Sequence, residues 1–205
     1  MAKTEPFDLY SEEYDNWFKR NKEKYEAELR AIKDFIPSKG NGLEIGVGSG
    51  KFAYPLGIKI GIEPSDKMAE KSRALEIKVI KGVAENLPVA DSSFDFVLMV
   101  TTICFVDDIE KSFREAFRVL KKEGFIVVGF VDRESELGKE YMRRKNKSRF
   151  YKAAYFFPTG EVLNYLNNAG FGAFQIKQTI FPGTATQHIE NGFGKGSFVV
   201  IKASK

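Results

Sequence analysis

Residues 43–50 read LEIGVGSG, an apolar run that passes into three glycines at alternate positions, Gly46, Gly48 and Gly50. Glycines at such a turn permit positive φ and let a ligand come close to the backbone, and a helix start beyond them presents free N–H groups. The same residues also serve a tight strand-to-helix turn that holds no ligand, so the stretch taken alone leaves function open. The pattern on either side of it is what decides the fold.

Downstream, apolar runs recur as IKIGIE at 58–63, IKVIKG at 77–82, FDFVLMV at 94–100, GFIVVGF at 124–130, QIKQTI at 175–180 and SFVVIK at 197–202. With LEIGV at 43–47 they make seven expected strands. Several are apolar at consecutive positions, as suits strands covered on both faces. Between them, Asp108 reads as the N-cap of a helix whose apolar face is Ile109, Phe113, Ala116, Phe117 and Leu120, with Gly124 as its stop. Thr159 reads as the cap of another, carrying Val162, Leu163, Leu166 and Ala169 and closed by Gly170. Upstream, Ser11 followed by Glu12 and Glu13 marks the start of an amphipathic helix that Phe18, Tyr25, Leu29, Ile32 and Ile36 carry to about residue 36, where Pro37, Gly40 and Gly42 break it. Only ten residues, 48–57, separate the first two strands, and Pro55 ends any helix early, so a very short helix is expected there. The alternation predicts an α/β fold: a doubly wound, seven-stranded, mostly parallel sheet with an N-terminal helical cap.

Composition narrows the function classes. The chain has 205 residues, 43% of them hydrophobic, enough for one domain with a sizeable core. Charged residues make up 29% and no tract of 18 apolar residues occurs, which excludes a membrane-spanning chain. The opening MAKTEPFDLYSEEYD is acidic where a signal peptide needs a basic region, so a cytoplasmic location is expected. Cys104 is the only cysteine, which excludes an internal disulfide framework, a zinc ribbon or an iron–sulfur cluster, and no metal site is expected. A catalytic pairing of Cys104 with His188, the single histidine, lacks any supporting motif. The net charge of +4 is not gathered into one basic tract and gives no reason to expect a nucleic-acid partner.

Chemistry enters with Glu63, at the end of the second expected strand and seventeen residues after Gly46. An acid placed there can accept hydrogen bonds from both hydroxyls of a ribose, although a solvated region ahead of Pro64 and Ser65 would look the same. Glycine turn and acid together suggest an adenosine-containing cofactor at the carboxyl edge of the sheet. The glycines read G-x-G-x-G, whereas the dinucleotide fingerprint has its third glycine three positions after the second, where this chain has Lys51. A nicotinamide-dependent oxidoreductase is the weaker alternative for that reason.

These residues resemble the class I S-adenosylmethionine-dependent methyltransferases, in the small-molecule branch that includes the ubiquinone and menaquinone biosynthesis methyltransferases. LEIGVGSG is similar to the family's first motif and GIEPSDKM to its second. GVAENLPVADSSFDFVLMV resembles the third region, which ends with IEKSFREAFRVLKKEGFIVV. The resemblance implies a Rossmann-like methyltransferase fold, S-adenosylmethionine as cofactor and a small-molecule methyl acceptor. It implies that Glu44 orients the methionine amino group, directly or through water, while Gly46 and Gly48 give the cofactor room. Glu63 would hold the ribose, with Pro64 and Met68 beside the adenosine, Ala84 and Glu85 near the adenine edge and Thr101 near the methionyl part. The implied division is a cap or lid at 1–40, a cofactor-binding half at 41–131, and a substrate insert with the last strands at 132–205.

Two departures bear on adenine recognition and on substrate. Val83 stands where relatives commonly have an Asp that meets the adenine amino group, which leaves Glu85 or backbone groups for that task. Cys104 and Phe105 replace a pair of histidines common in the branch, so no base is carried over, and no carboxylate or histidine stands out as one. The acceptor side is expected from Tyr10, Tyr14 and Trp17 in an N-terminal aromatic cluster with Phe18, from Cys104 and Phe105, and from a second cluster of Phe150, Tyr151, Tyr155, Phe156 and Phe157. Such rings enclose apolar or cationic acceptors, and they equally serve as packing. The basic stretch 133–152 reads as a solvated helix face or as a contact for an anionic acceptor or RNA. A binding protein without transferase activity is the other alternative, and the sequence does not set the oligomeric state.

Overall fold

The computed structural model describes residues 4–183 and 188–205. Three helices open the chain: α1 (Glu5–Leu9), α2 (Ser11–Arg20) and α3 (Lys22–Lys33). An alternation follows of β1 (Gly42–Ile45), β2 (Ile60–Ile62), α4 (Asp66–Arg73), β3 (Lys78–Ile80), β4 (Phe94–Val100), α5 (Ile109–Val119) and β5 (Leu120–Val131). The chain ends with α6 (Glu136–Arg144), α7 (Thr159–Asn168), β6 (Gly172–Thr179), β7 (Ile189–Asn191) and β8 (Phe198–Ser204). No helix among the described residues is long and apolar enough to cross a membrane.

The strands form one sheet in the order β3-β2-β1-β4-β5-β8-β6-β7. From β3 to β5 all neighbours are parallel; β8 runs against β5, β6 against β8, and β7 against β6. Side chains alternate across the sheet as the pleat requires. Val97 and Met99 of β4 join the core under α5 and α7, while Phe96, Leu98 and Val100 join the opposite core under α3. Both faces are covered, which explains strands apolar at every position.

Among the described residues the sheet has eight strands rather than the expected seven. The extra one, β7, pairs Ile189 to Asn191 with Thr179 to Lys177 and reads IEN, too short and polar for a hydrophobic run to reveal. The single N-terminal helix is in fact two, broken at Asn21, whose backbone N–H and side-chain amide both donate to the Trp17 carbonyl at 2.9 Å and close α2. Ser11 does not cap α2, since Tyr10 occupies that position directly after α1. The connection at 48–57 is a series of turns with no helix, cut short by Pro55. Asp108 does cap α5, accepting from Lys111 N–H at 2.9 Å, but the helix ends where Leu120 turns extended and begins β5. Gly124 lies within that strand, where a Cβ would come 3.1 Å from the Asp95 carbonyl. Thr159 is the first residue of α7 rather than its cap; its N–H and hydroxyl both donate to Asp132 Oδ2, a cap supplied from the end of β5.

Candidate active site

The glycine turn leaves β1 under the end of β2, with Gly46 and Val47 N–H donating to the Ile62 carbonyl at 2.8 and 3.0 Å. Gly46 has φ +72° and Gly48 φ +54°, conformations that L side chains resist by about 1–2 kcal/mol. At Gly46 there is a second reason, because a Cβ would lie 2.6 Å from the Thr102 side chain. At Gly48 the nearest atom to a Cβ would be Tyr14 Oη at 3.7 Å, so there the constraint is the backbone alone.

Glu63, one residue beyond β2, fastens this turn to the start of α4. Its Oε2 accepts from Gly48 N–H at 2.8 Å and its Oε1 from Ser65 N–H at 2.9 Å. Ser65 in turn caps α4 through Met68 N–H at 3.2 Å. Burial pushes the Glu63 carboxyl up to about 7, the two N–H donors hold it below what burial alone would give, and Asp8 raises it further. Each oxygen has used one lone-pair direction and keeps another for a ligand hydroxyl.

A cavity of about 520 Å³, within the range of small-ligand sites, opens across the carboxyl ends of the parallel strands. Along the sheet its wall begins after β3 with Val83, Ala84 and Glu85, continues after β2 with Glu63, Pro64 and Met68, and passes Gly46 and Gly48 to Thr101, Thr102 and Phe105 beyond β4. It ends at Val131 of β5, facing Glu28, Tyr141 and Tyr151, with Tyr14, Trp17 and Phe18 above. Of the cofactor-side residues expected from sequence, all line this cavity except Glu44. Glu44 is buried, takes one bond from the Ala53 backbone and has no partner for Oε2 among the described residues; burial pushes its carboxyl well above the carboxylate range. Glu85 also ties down the loop before α5, accepting from Asp107 and Asp108 N–H at 2.6 and 3.2 Å. Thr101 holds φ +50°, strain of a kind that collects at functional sites.

On the acceptor side, Tyr14, Trp17 and Phe105 line the cavity, and Tyr10 and Cys104 do not. Cys104 is turned into a small core with Ala154 and Phe156, its thiol 3.2 Å from the Thr101 carbonyl. Tyr10 lies beneath the Arg149 guanidinium, 4.6 Å from the ring centre. From the second aromatic cluster only Phe150 and Tyr151 reach the cavity. His188 is far from being a base here; its ring is 2.8 Å from the Glu190 carboxylate, beside β7. In the basic stretch, Lys147 and Arg149 reach the cavity wall, while Arg144 pairs with Glu140 one turn back on α6 at 3.0 Å.

The N-terminal helices are strapped over this edge by polar contacts. Asp8 accepts from Ser65 Oγ at 2.6 Å, Asp15 accepts from Ser49 Oγ at 2.6 Å, and Lys71 reaches both Glu12 and Asp15. Arg149 crosses to Glu13 at 2.6 Å.

Sequence reasoning missed Glu28, Tyr141, Thr102 and Phe7 as wall residues. Glu28 was detectable: it falls between Tyr25, Leu29 and Ile32 on the apolar stripe of α3, where a carboxylate does not belong on packing grounds. It is 5% exposed, and burial pushes its carboxyl up to about 8, with Lys24 opposing.

A methyltransferase-domain family model matches residues 43–128. A crystal structure of an S-adenosylmethionine-dependent methyltransferase from Thermotoga maritima, described as a possible histamine N-methyltransferase, is 50% identical with a TM-score of 0.95, covering 98% of this chain and 99% of that one. An uncharacterised protein of Methanocaldococcus jannaschii is 46% identical over 202 residues, 97% of this chain and 98% of its own. A demethylmenaquinone methyltransferase of Roseiflexus is 35% identical over 95 residues, 42% of this chain and 40% of its own.

Proposed function

The chain belongs to the S-adenosylmethionine-dependent methyltransferases, and from that premise we propose that it methylates a small organic molecule held at the β5 end of the cavity. The observation that carries this reading is the continuity of one cavity from Glu63 to the aromatic wall of Tyr14, Trp17, Tyr141 and Tyr151.

The residues present fit the cofactor. Glu63 keeps acceptor directions for two ribose hydroxyls, Gly46 and Gly48 place no side chain between backbone and ligand, and Val83, Ala84, Pro64 and Met68 offer apolar surface to an adenine. Glu63 adds negative charge near a cationic ligand where it ionises, while Glu44, its carboxyl raised by burial, acts from behind the wall as a polar group, through the turn or a water. When bound, S-adenosylmethionine supplies a methyl group on a positively charged sulfur. The chain's part is to align that methyl with the acceptor, exclude water and balance charge, and alignment alone contributes about 7–11 kcal/mol to such displacements.

The covering supports a small acceptor. Helices α1 and α2 and residues 145–153 lie over the opening, so the cap of residues 1–40 works as a lid on the cofactor-binding half at 41–131, with 132–205 completing the acceptor side. The polar straps are of the kind that open without disturbing a core. Calorimetry with S-adenosylhomocysteine and NAD, followed by turnover of S-adenosylmethionine with a panel of small acceptors, tests the reading. Binding of the first ligand, none of NAD and methylation of a small acceptor are expected; NAD binding alone, or methylation only of a macromolecule, would overturn it.

A further inference from the structure

We propose that Glu28 is the acceptor-binding carboxylate of this cavity and that the acceptor is a small amine, held there as its ammonium ion and made reactive by giving its proton to Glu28. This deepens the methyltransferase reading and rests on it.

Glu28 sits in the cavity wall on α3, 5% exposed, and besides burial only Lys24 shifts its carboxyl. Taking a carboxylate out of water without a partner is unfavourable, and small Ala27 and Ala31 beside it on α3 make no demand for an acid. The groups whose fields reach it are Lys24 on its own helix, Tyr14 of α2, Tyr25 of α3, Tyr141 of α6 and Tyr151. Lys24 is half-buried and the rest are uncharged phenols. Glu63, Glu85, Arg20, Lys147 and Arg149 also line the cavity, but at this end it offers a buried carboxylate among aromatic rings, surroundings that favour an organic cation. Its position adds the second observation. The wall runs from Val83 and Glu85 past Glu63 to Gly46 and Thr102, and Glu28 lies beyond these, at the β5 end, where an acceptor would have to enter.

The chemistry closes. An ammonium nitrogen has no lone pair and is repelled by a sulfonium in the same enclosure, so it must lose a proton before it can react. With its carboxyl raised to about 8, Glu28 is a far better proton acceptor for an amine than an ordinary carboxylate, and still much too weak for an alcohol. The N–H bond breaks and its proton goes to a Glu28 oxygen. The freed lone pair then forms the N–CH3 bond as the S–CH3 bond breaks, the electron pair returning to sulfur as a neutral thioether. The methylated nitrogen carries the positive charge away, and Glu28 returns its proton to water. One proton is released per turnover.

Calorimetry on the cofactor-free protein tests this, using amines from propylamine to 2-phenylethylamine and histamine, each of the first two paired with its alcohol, and comparing wild type with Glu28→Gln. At least one amine should bind wild type and lose tenfold or more with the variant, while the alcohols show no such difference. At pH 8, binding in buffers of different ionisation enthalpy should release about half a proton from wild type, as Glu28 ionises, and none from the variant. S-adenosylhomocysteine should bind both proteins alike. If it fails to bind wild type, the methyltransferase reading is at fault. If it binds both and the amines bind without regard to Glu28, or only alcohols or phenols bind and are methylated, the assignment of Glu28 is overturned.

Discussion

Replacing Glu63 by Gln keeps the size of the side chain and removes what the proposed ribose contact needs from it. In the wild type the two carboxylate oxygens accept from Gly48 and Ser65 N–H at 2.8 and 2.9 Å, which leaves their remaining lone pairs for the proposed ribose contact. A glutamine offers one oxygen and turns an N–H2 group toward the other backbone donor, so one support of the glycine turn becomes a donor facing a donor. Losing a bond to a charged acceptor costs about 1.5–3 kcal/mol, and one ribose hydroxyl loses its acceptor by the same change. At about 1.4 kcal/mol per decade, cofactor affinity should fall roughly 10- to 100-fold. Glu63→Ala is the poorer probe, because it strands both buried N–H groups and unsettles the turn before any ligand arrives. Calorimetry with S-adenosylhomocysteine, run beside thermal unfolding of the ligand-free variant, separates the two effects. A dissociation constant within twofold of wild type in a folded Glu63→Gln protein would refute the ribose assignment.

Gly46→Ala forces a methyl to within 2.6 Å of Thr102 at φ +72°, and should cost about 2 kcal/mol or more in urea unfolding while weakening the cofactor; a variant as stable as wild type would show that Thr102 yields freely. Glu28→Gln should stabilise the ligand-free protein, and more so at high pH. The folded carboxyl, raised to about 8, binds a proton that the unfolded chain gives up near 4.5, so the wild type loses stability as pH climbs through that window. Between pH 5.5 and 8.5 the advantage of the variant should grow by about 3 kcal/mol in urea titrations, and a constant difference would mean that Glu28 is ionised throughout. Arg149→Ala removes the 2.6 Å strap to Glu13, an exposed pair of about 0–1 kcal/mol, so the melting temperature should barely move while S-adenosylhomocysteine dissociates several-fold faster, followed through Trp17 emission; an unchanged rate would show that the strap does not hold the lid.

The sheet was legible because its strands announce themselves: FDFVLMV is β4 residue for residue. The glycine turn and Glu63 were legible because short-range sequence sets them one above the other. What escaped needed long-range information. The strand β7 exists only because β6 offers an edge to the polar tripeptide IEN, and the cap of α7 comes from Asp132, twenty-seven residues away. The acceptor side was only half visible, since Tyr10 and Cys104 face away from the cavity that their neighbours Tyr14 and Phe105 line, and sequence gives no rotamer. Glu28 was overlooked for a simpler reason: a charge on an amphipathic helix is ordinarily solvated, and only its register with Tyr25, Leu29 and Ile32 says otherwise.

A crystal structure with S-adenosylhomocysteine bound tests the central claim most directly. The account places the adenine beside Val83 to Glu85, the ribose hydroxyls on Glu63, and the thioether sulfur turned past Gly46 toward the end walled by Glu28, Tyr141 and Tyr151. A ligand lying with its sulfur toward Glu85, or held outside the cavity under α1 and α2, would contradict it.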